Sequence, residues 1–203
     1  MNSSKKKNYN SDFLSSRDLR TLSFKKLGKN VLISKNAIII GANNISLDDN
    51  VRIDAFTFLI SPKGFIKIGK FTHISTHVLI SGHCGFKLGK FSGLGSGVKI
   101  YTSSEDYSGE GICNLNLSTK KINFSKFQKI IENQVNIGDH TNIGANSVIL
   151  PGSVIGKNSS ISACSIVKAK LKGGYIYMDS PLKPILKKST KNIFFEKKLK
   201  KKI

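Results

Sequence analysis

Late in the chain an aliphatic residue returns at every sixth position: Ile137, Ile143, Ile149, Ile155, Ile161 and Val167. Four places after each of the first five stands a small or β-branched polar residue, namely Thr141, Ser147, Ser153, Ser159 and Ser165. Glycine follows the aliphatic residue at Gly138, Gly144 and Gly156. Helices repeat every 3.6 residues and simple strands every two, so this period fits neither. It fits a chain that makes a short strand, turns a corner and repeats. One aliphatic side chain per hexad then points inward with a small residue beside it, and three hexads close a triangular coil. Coils stacked at the ~4.8 Å spacing of a β-sheet pair their backbone groups with the next coil. Small residues suit the corners, where a large one would strike its neighbour.

The same period recurs upstream. Leu27, Ile33, Ile39, Ile45 and Val51 are six apart; Ile68, Ile74 and Ile80 form a further set, and Leu88, Leu94 and Ile100 another. The offsets at Ser61 to Gly64 and Gly82 to Gly85 read as loops pushed out at corners. Tyr101 to Gln134 carries no hexad phase and exceeds an ordinary connection, which marks it as a functional loop. Ser16 is placed to cap a short helix through Leu19, Leu22 and Phe24 to about Lys26. The pattern predicts an all-β chain: a polar N-terminal segment over 1–26, a parallel β-helix over 27–169 with 101–134 inserted, and a closing turn with a lysine-rich tail over 170–203. From Lys168 the chain is expected to leave the prism, turning helical around Ile193 to Leu199.

The 203 residues suit one domain with a sizeable core. Met1 to Asn10 is polar and lysine-rich with no apolar run behind it, and no stretch approaches the ~18 apolar residues of a membrane span. The expectation is a soluble cytoplasmic protein. Cys84, Cys113 and Cys164 are odd in number and lack metal or disulfide spacing, so they read as free thiols. The net charge of +21 invites a nucleic-acid partner. The lysines, however, gather at the ends, in Lys5 to Lys7 and Lys183 to Lys202, with few aromatics between them for stacking. Attraction to an anionic membrane surface or an anionic substrate accounts for them better, as does a tail that is simply solvated.

The segment VNIGDHTNIGANSVILPGSVIGKNSSISACSIV, Val135 to Val167, resembles the hexapeptide-repeat acyltransferases. Together with KIYTSSEDYSGEG, it is similar to the sugar acetyltransferases of surface-polysaccharide biosynthesis. The resemblance spans about residues 17 to 188 and implies a left-handed β-helix, a homotrimer and acetyl-CoA as co-substrate. Spacing alone yields none of these, and the usual crossover rule favours the right hand. The implied acceptor is a hydroxyl or amino group on a sugar, sugar nucleotide or glycan. The alternative is a non-catalytic trimeric scaffold whose lysine tails bind acidic surfaces.

Acyl transfer from a thioester needs an oriented acceptor, a destination for its proton and donors for the oxyanion. Relatives use a histidine on the loop leaving the middle coils, whereas Thr102 to Tyr107 holds none. Glu105 or Asp106 can replace it if burial raises its pKa. So can His83, which coil counting places near Ser103 by stacking Val78 on Val98. Each also has a plainer role, His83 as a corner hydrogen-bonder and the two acids as turn formers. An amine acceptor needs little base once it is unprotonated. Ser108 and Glu110 are placed to hydrogen-bond a sugar. For the cofactor, the resemblance points to the backbone at Gly144 and Ala145 and to Ala163 one coil on, where small side chains admit a pantetheine amide. Lys168 and Lys183 are candidates for the phosphates. Asp179 and Leu182 depart from the family's closing turn. His73, His77 and His140 fall at outward positions, and no metal is expected.

Overall fold

The computed structural model describes residues 12–106, 108–111, 127, 129–178 and 181–199. Its body is a left-handed parallel β-helix of about seven coils. A first sheet stacks Lys26–Leu27, Ile45–Leu47, Ile66–Ile68, Phe86–Leu88, Val135–Ile137, Val154–Ile155 and Lys170–Leu171. A second stacks Leu32–Ile33, Arg52–Ile53, His73–Ile74, Gly93–Leu94, Asn142–Ile143, Ser160–Ile161 and Tyr175–Met178, and Lys183–Lys187 closes it antiparallel. The third holds Ile38–Ile40, Phe58–Ile60, Leu79–Ser81, Lys99–Tyr101, Val148–Ile149 and Ile166–Val167. Parallel pairing thus runs past Lys168 as far as Tyr177, because Leu171 and Tyr177 continue the inward positions.

Two positions per hexad face the core. Ile53, Leu59, Ile74, Ile80, Ile100 and Ile149 are among the fully buried aliphatic residues. Two places before each inward residue lies a second buried side chain, aliphatic at Ile66, Val78, Val98 and Val135, and hydroxylic at Thr57, Thr141, Ser147 and Ser159. This is why a small polar residue follows each isoleucine by four. Its hydroxyl bonds a corner carbonyl: Thr57 Oγ1 to Ser75 O at 2.9 Å, Ser147 Oγ to Ser162 O at 3.0 Å, Ser153 Oγ to Val167 O at 2.9 Å. Each such bond contributes about 1 kcal/mol and spares a larger desolvation cost.

Ile45 and Val51 are buried, but they occupy this second position; the inward set of their coil is Leu47, Ile53 and Leu59. The shift arises at Gly41 to Asn44, where a short 3-10 turn lengthens the corner. Gly41 needs its φ of +74° there, and a Cβ would stand 2.2 Å from Ser61 O. Three corners result. At the first-second corner, residues in the left-handed region stack as Asn50, Phe71, Phe91, His140 and Asn158. At the second-third corner the series is Phe56, His77, Gly97, Asn146 and Cys164. Each donates its N–H to the coil before it, for instance His140 to Lys90 O at 2.9 Å and Cys164 to Ala145 O at 2.8 Å.

The third-first corner differs. From Ile39 to Leu47, Leu59 to Ile68, Ile80 to Leu88 and Ile100 to Ile137 the inward spacing is 8, 9, 8 and 37, where the other two corners keep six. Every insertion leaves the prism there, including the long one. Its base is an antiparallel ribbon pairing Ser103–Glu105 with Ile130–Glu132.

The N-terminal helix α1 (Ser16–Thr21) is capped by Ser15, one residue earlier than the sequence suggests. The Ser15 side chain accepts from Asp18 N at 3.2 Å, while Asp18 returns a bond to Ser15 N at 3.0 Å, forming a capping box. The helix stops at Thr21, because Lys26–Leu27 is already committed to the first coil. At the other end α2 (Lys191–Leu199) folds back on the first-second corner. There Glu196 is buried between Lys90 Nζ at 2.6 Å and His140 Nε2 at 2.5 Å. His140 is therefore covered by this helix, and its ring stacks on Phe91 at 5.2 Å.

Candidate active site

Of the catalytic candidates, His83 lies at the third-first corner and Glu105 and Asp106 lie on the ribbon that leaves it. Leu79 pairs with Lys99 and Ser81 with Tyr101, so Val78 does stack on Val98 and His83 lies beside the exit of the long insertion. His83 Nδ1 is 3.0 Å from Ser81 Oγ. Thr102 ties the corner together: its Oγ1 donates to Ser81 O at 2.8 Å and accepts from Cys84 N at 2.9 Å. Thr102 O accepts from Asn133 N at 3.0 Å, which joins both legs of the ribbon to the same point.

Glu105 and Asp106 stand further out. Glu105 pairs with Ile130, and Asp106 N donates to Lys129 O at 3.0 Å. Among the described residues neither side chain hydrogen-bonds His83. A base activated by burial requires a raised carboxyl pKa, and Asp106 moves the other way. The Ser108 hydroxyl donates to Asp106 Oδ2 and, with the nearby backbone and Lys129, holds its carboxyl below the usual range. Ser108 is thereby engaged within the loop, as is Glu110, which pairs with Lys129. Tyr107 and Cys113 lie outside the described residues.

Cys84, read from the sequence only as a free thiol, and Glu132, which no sequence pattern singles out, share the corner with His83. Burial first, and then the Glu132 carboxylate with its hydrogen bond, pushes the Cys84 thiol up. No motif announces this pair, since Glu132 reaches the corner only through the register of the ribbon. The arrangement offers an imidazole, a hydroxyl-bridged backbone and a carboxylate at the mouth of the insertion. These are groups able to orient an acceptor and take its proton.

The cofactor candidates divide. Gly144, Ala145 and Ala163 come together at the second-third corner on consecutive coils, and a Cβ on Gly144 would stand 2.3 Å from Ala163 N. Gly144 N already donates to Ile161 O at 2.8 Å, and Ala145 O accepts from Cys164 N. Among the described hydrogen bonds the N–H groups of Ala145 and Ala163 donate to nothing, which leaves two corner amides for an amide ligand. Lys168 lies exposed at the third-first corner instead, and Lys183 on the antiparallel closing strand beside Met178. Leu182 packs on the core, and Asp179 is outside the described residues.

On one chain the corner of the catalytic candidates and the corner of the cofactor candidates are therefore the two edges of the third sheet. Five residues of strand, ~16 Å at ~3.3 Å each, separate them. The outward face between them is an apolar ladder in register: Ile38, Phe58, Leu79, Lys99, Val148 and Ile166. Even Lys99 folds its ammonium onto Gly97 O at 3.3 Å, leaving its stem on the ladder.

The other histidines stay apart. His73 bonds Asp54 at 2.7 Å on the second face, and His77 stacks on Phe56 at the second-third corner. Among the described residues no three His, Cys, Asp or Glu side chains gather as metal ligands. Nor is any helix among them long and apolar enough to cross a membrane.

Residues 134–169 match the family described as bacterial transferase hexapeptide (six repeats). Over 184 residues, 91% of this chain and 93% of the relative, the sequence is 33% identical to the dTDP-4-amino-4,6-dideoxy-D-glucose acyltransferase of Escherichia coli. The crystal structure of AntD, an N-acyltransferase from Bacillus cereus in complex with dTDP and 3-hydroxybutyryl-CoA, superposes with a TM-score of 0.86 at 32% identity, covering 94% of this chain and 97% of that one. A hexapeptide-repeat acetyltransferase of Vibrio cholerae bound to acetyl-CoA shares the fold at a TM-score of 0.59 and 17% identity, over 85% of this chain and 77% of its own.

Proposed function

The chain belongs to the hexapeptide-repeat acyltransferases, and from that premise we propose that it N-acylates the amino group of a nucleotide-activated amino sugar, with acyl-CoA as donor. Acyl transfer from coenzyme A is the activity of the family; the amine and the nucleotide are the finer reading. They are supported by the E. coli relative, named for a dTDP-linked 4-amino sugar, and by AntD, which holds dTDP together with an acyl-CoA. The observation in this chain that carries the reading is the composition of the third-first corner. Among the described residues it has hydrogen-bonding groups and a carboxylate but no buried, strongly activated base, which suits an amine better than a hydroxyl. An amine attacks once it has lost its proton, so holding it against the thioester supplies most of the acceleration. His83 or Glu132 then needs only to accept a proton from an already acidic ammonium.

The working form on this reading is a homotrimer. The reaction corner and the free amides of Ala145 and Ala163 lie on opposite edges of one apolar sheet. Copies that cover this sheet around a threefold axis bring one chain's reaction corner toward a neighbour's cofactor corner. A rigid scaffold without catalysis is no longer required to account for the chain. Acetyl is the simplest donor group, and Lys168 and Lys183 remain available to phosphates from the C-terminal end. The free thiols of Cys84 and Cys164 and the two metabolite substrates suit the cytoplasm. The lysine-rich surface adds a peripheral attraction to anionic membranes of roughly 1 kcal/mol for each lysine close to one.

The test is direct. Purified protein is incubated with acetyl-CoA and a dTDP-4-amino-4,6-dideoxyhexose, and the product is read by mass spectrometry beside thiol release. A product heavier by one acetyl group, with stoichiometric free coenzyme A, supports the proposal. Transfer to the hydroxyl of an amine-free sugar nucleotide, and none to the amine, would overturn it.

A further inference from the structure

The outward face of the first sheet is basic, and one part of it adjoins the reaction corner. Strand register aligns Lys26, Ser46, Lys67, Lys87, Asn136, Val154 and Lys170 into a single ladder. An open cavity of about 880 Å³ runs along it, lined also by Lys25 and Lys157. Within this ladder Lys67 and Lys87 are direct neighbours, so two like charges sit on adjacent strands ~4.8 Å apart. Two nearby cations have a carboxylate: Lys26 pairs with Asp48 and Lys90 with Glu196. Lys67 and Lys87 have none among the described residues. What holds them is Phe65, whose ring centroid lies 5.2 Å from Lys67 Nζ and 5.7 Å from Lys87 Nζ.

Their position in the chain is equally specific. Phe65 and Gly85 close successive turns of the third-first corner, and Phe65 O accepts from Phe86 N at 2.8 Å. Gly85 has a φ of +99°, and a Cβ there would stand 2.7 Å from the Phe65 ring, so the glycine lets the aromatic seat itself under the corner. Lys87 follows Cys84 by three residues, and Asn136, its partner on the other side, follows Glu132 by four. Two unpaired ammonium groups beside a reaction centre repel each other, and a doubly charged anion bridging them removes that repulsion.

We propose that Lys67 and Lys87, held by Phe65, bind the diphosphate of the acceptor and thereby aim its sugar at the corner formed by His83, Cys84 and Glu132. The inference rests on the nucleotide-sugar reading above and names the part of the chain that would select for it. The diphosphate spans both ammonium groups, and the sugar then extends across the corner toward Thr102.

The experiment measures binding and turnover on the intact protein. Calorimetric titrations use dTDP, inorganic pyrophosphate and acetyl-CoA in turn, against wild type, Lys67→Ala/Lys87→Ala and Lys170→Ala. The double variant is expected to weaken dTDP and pyrophosphate at least about tenfold, as loss of charge-assisted contacts requires, and to raise the acceptor KM similarly. Its acetyl-CoA affinity and circular dichroism stay at wild-type values, which shows that the prism has folded. Lys170→Ala, on the same ladder but three strands from Lys87 and four from Lys67, leaves dTDP binding within about twofold, so a general loss of charge is separated from a local site. An unchanged acceptor KM and dTDP affinity in the double variant, with wild-type transfer intact, overturns this assignment and leaves the proposed activity standing. A wild type that acylates amino sugars but ignores dTDP and pyrophosphate overturns it as well. A wild type with no transfer to any sugar nucleotide rejects the activity itself.

Discussion

Replacing Phe58 by glutamate tests whether the third face is covered in the working molecule. Phe58 sits on the apolar ladder between Ile38 and Leu79, its side chain pointing away from the core. Ile38, Phe58 and Ile166 are 45%, 37% and 66% exposed in the single chain, so a third to two-thirds of each remains to be buried. Full burial of a large apolar side chain is worth roughly 1.5–3 kcal/mol, which leaves about 1 kcal/mol for each apolar rung, or about 5 kcal/mol per chain over the ladder. Phe58→Glu removes one such contribution and adds a carboxylate two strands from Lys99, whose ammonium is already bonded to Gly97 O, at a cost of several kcal/mol per copy once the face is covered. Repeated in three copies, the loss exceeds the roughly 8 kcal/mol that separates micromolar association from none. Sedimentation velocity at micromolar concentration should show a trimeric wild type and a monomeric variant. The core is untouched, so the far-ultraviolet dichroism should not change. Acyl transfer should fall with assembly, because on the proposed function the reaction corner and the cofactor corner of one chain stand at opposite edges of that sheet. A variant that sediments like wild type, or a monomeric wild type with full turnover, would refute the reasoning.

Two further outcomes bear on the core and the corner. Phe86 is fully buried, in register with Ile66 and Val135; Phe86→Ala should cost about 3–5 kcal/mol in urea unfolding and Phe86→Leu under about 1.5 kcal/mol, read by two probes to check that the coils unfold together. At Cys84 the thiol is raised by burial and then by Glu132, so Glu132→Gln lowers its pKa, increases the thiolate present at a given pH and speeds alkylation of Cys84 by iodoacetamide, as followed by peptide mass spectrometry at pH 7 to 8. Equal or slower alkylation in the variant would mean that the carboxylate does not govern this thiol.

The prism and its loop were legible because the hexad is written into the core-facing positions, where a polar or misphased residue would be costly. One phase was misread. Ile45 and Val51 continue the count from Leu27, but the lengthened corner at Gly41 to Asn44 moves the inward role to Leu47 and Ile53. Since both positions two apart are buried, an aliphatic residue in either looks the same on paper. His83 was legible by stacking coils. The pairing of Cys84 with Glu132 was not, because they meet across the base of an insertion whose return register no local pattern encodes. A base role for Asp106 requires burial to raise its pKa, and its own loop lowers it through Ser108. Placing the lysines at the chain ends overlooked the ladder of Lys26, Lys67, Lys87 and Lys170. Its rungs lie one or more coils apart in sequence and become neighbours only when the coils stack.

The uneven corners explain why chemistry gathers where it does. At the first-second and second-third corners a left-handed residue donates its N–H to the coil before it, and that bond fixes the length of the turn. An extra residue there would break the ladder and rotate every later side chain off the core. At the third-first corner the early coils already differ in length, with spacings of 8, 9, 8 and 37 in place of six, and the sheets on either side stay in register. Backbone there can be added without disturbing the prism, because each excursion begins and ends on strands pinned by their neighbours. The fold thus has one edge that is free to vary and two that are not. Loops on that edge bring together side chains from distant segments, His83 and Cys84 from one coil, Thr102 and Glu132 from the two legs of the insertion. Beside them lie rigid strands that present Lys67 and Lys87 at fixed spacing. On the proposed function, a mouth built from loops against a rigid charged rail suits an acceptor whose diphosphate is held by the rail while its sugar is selected at the mouth.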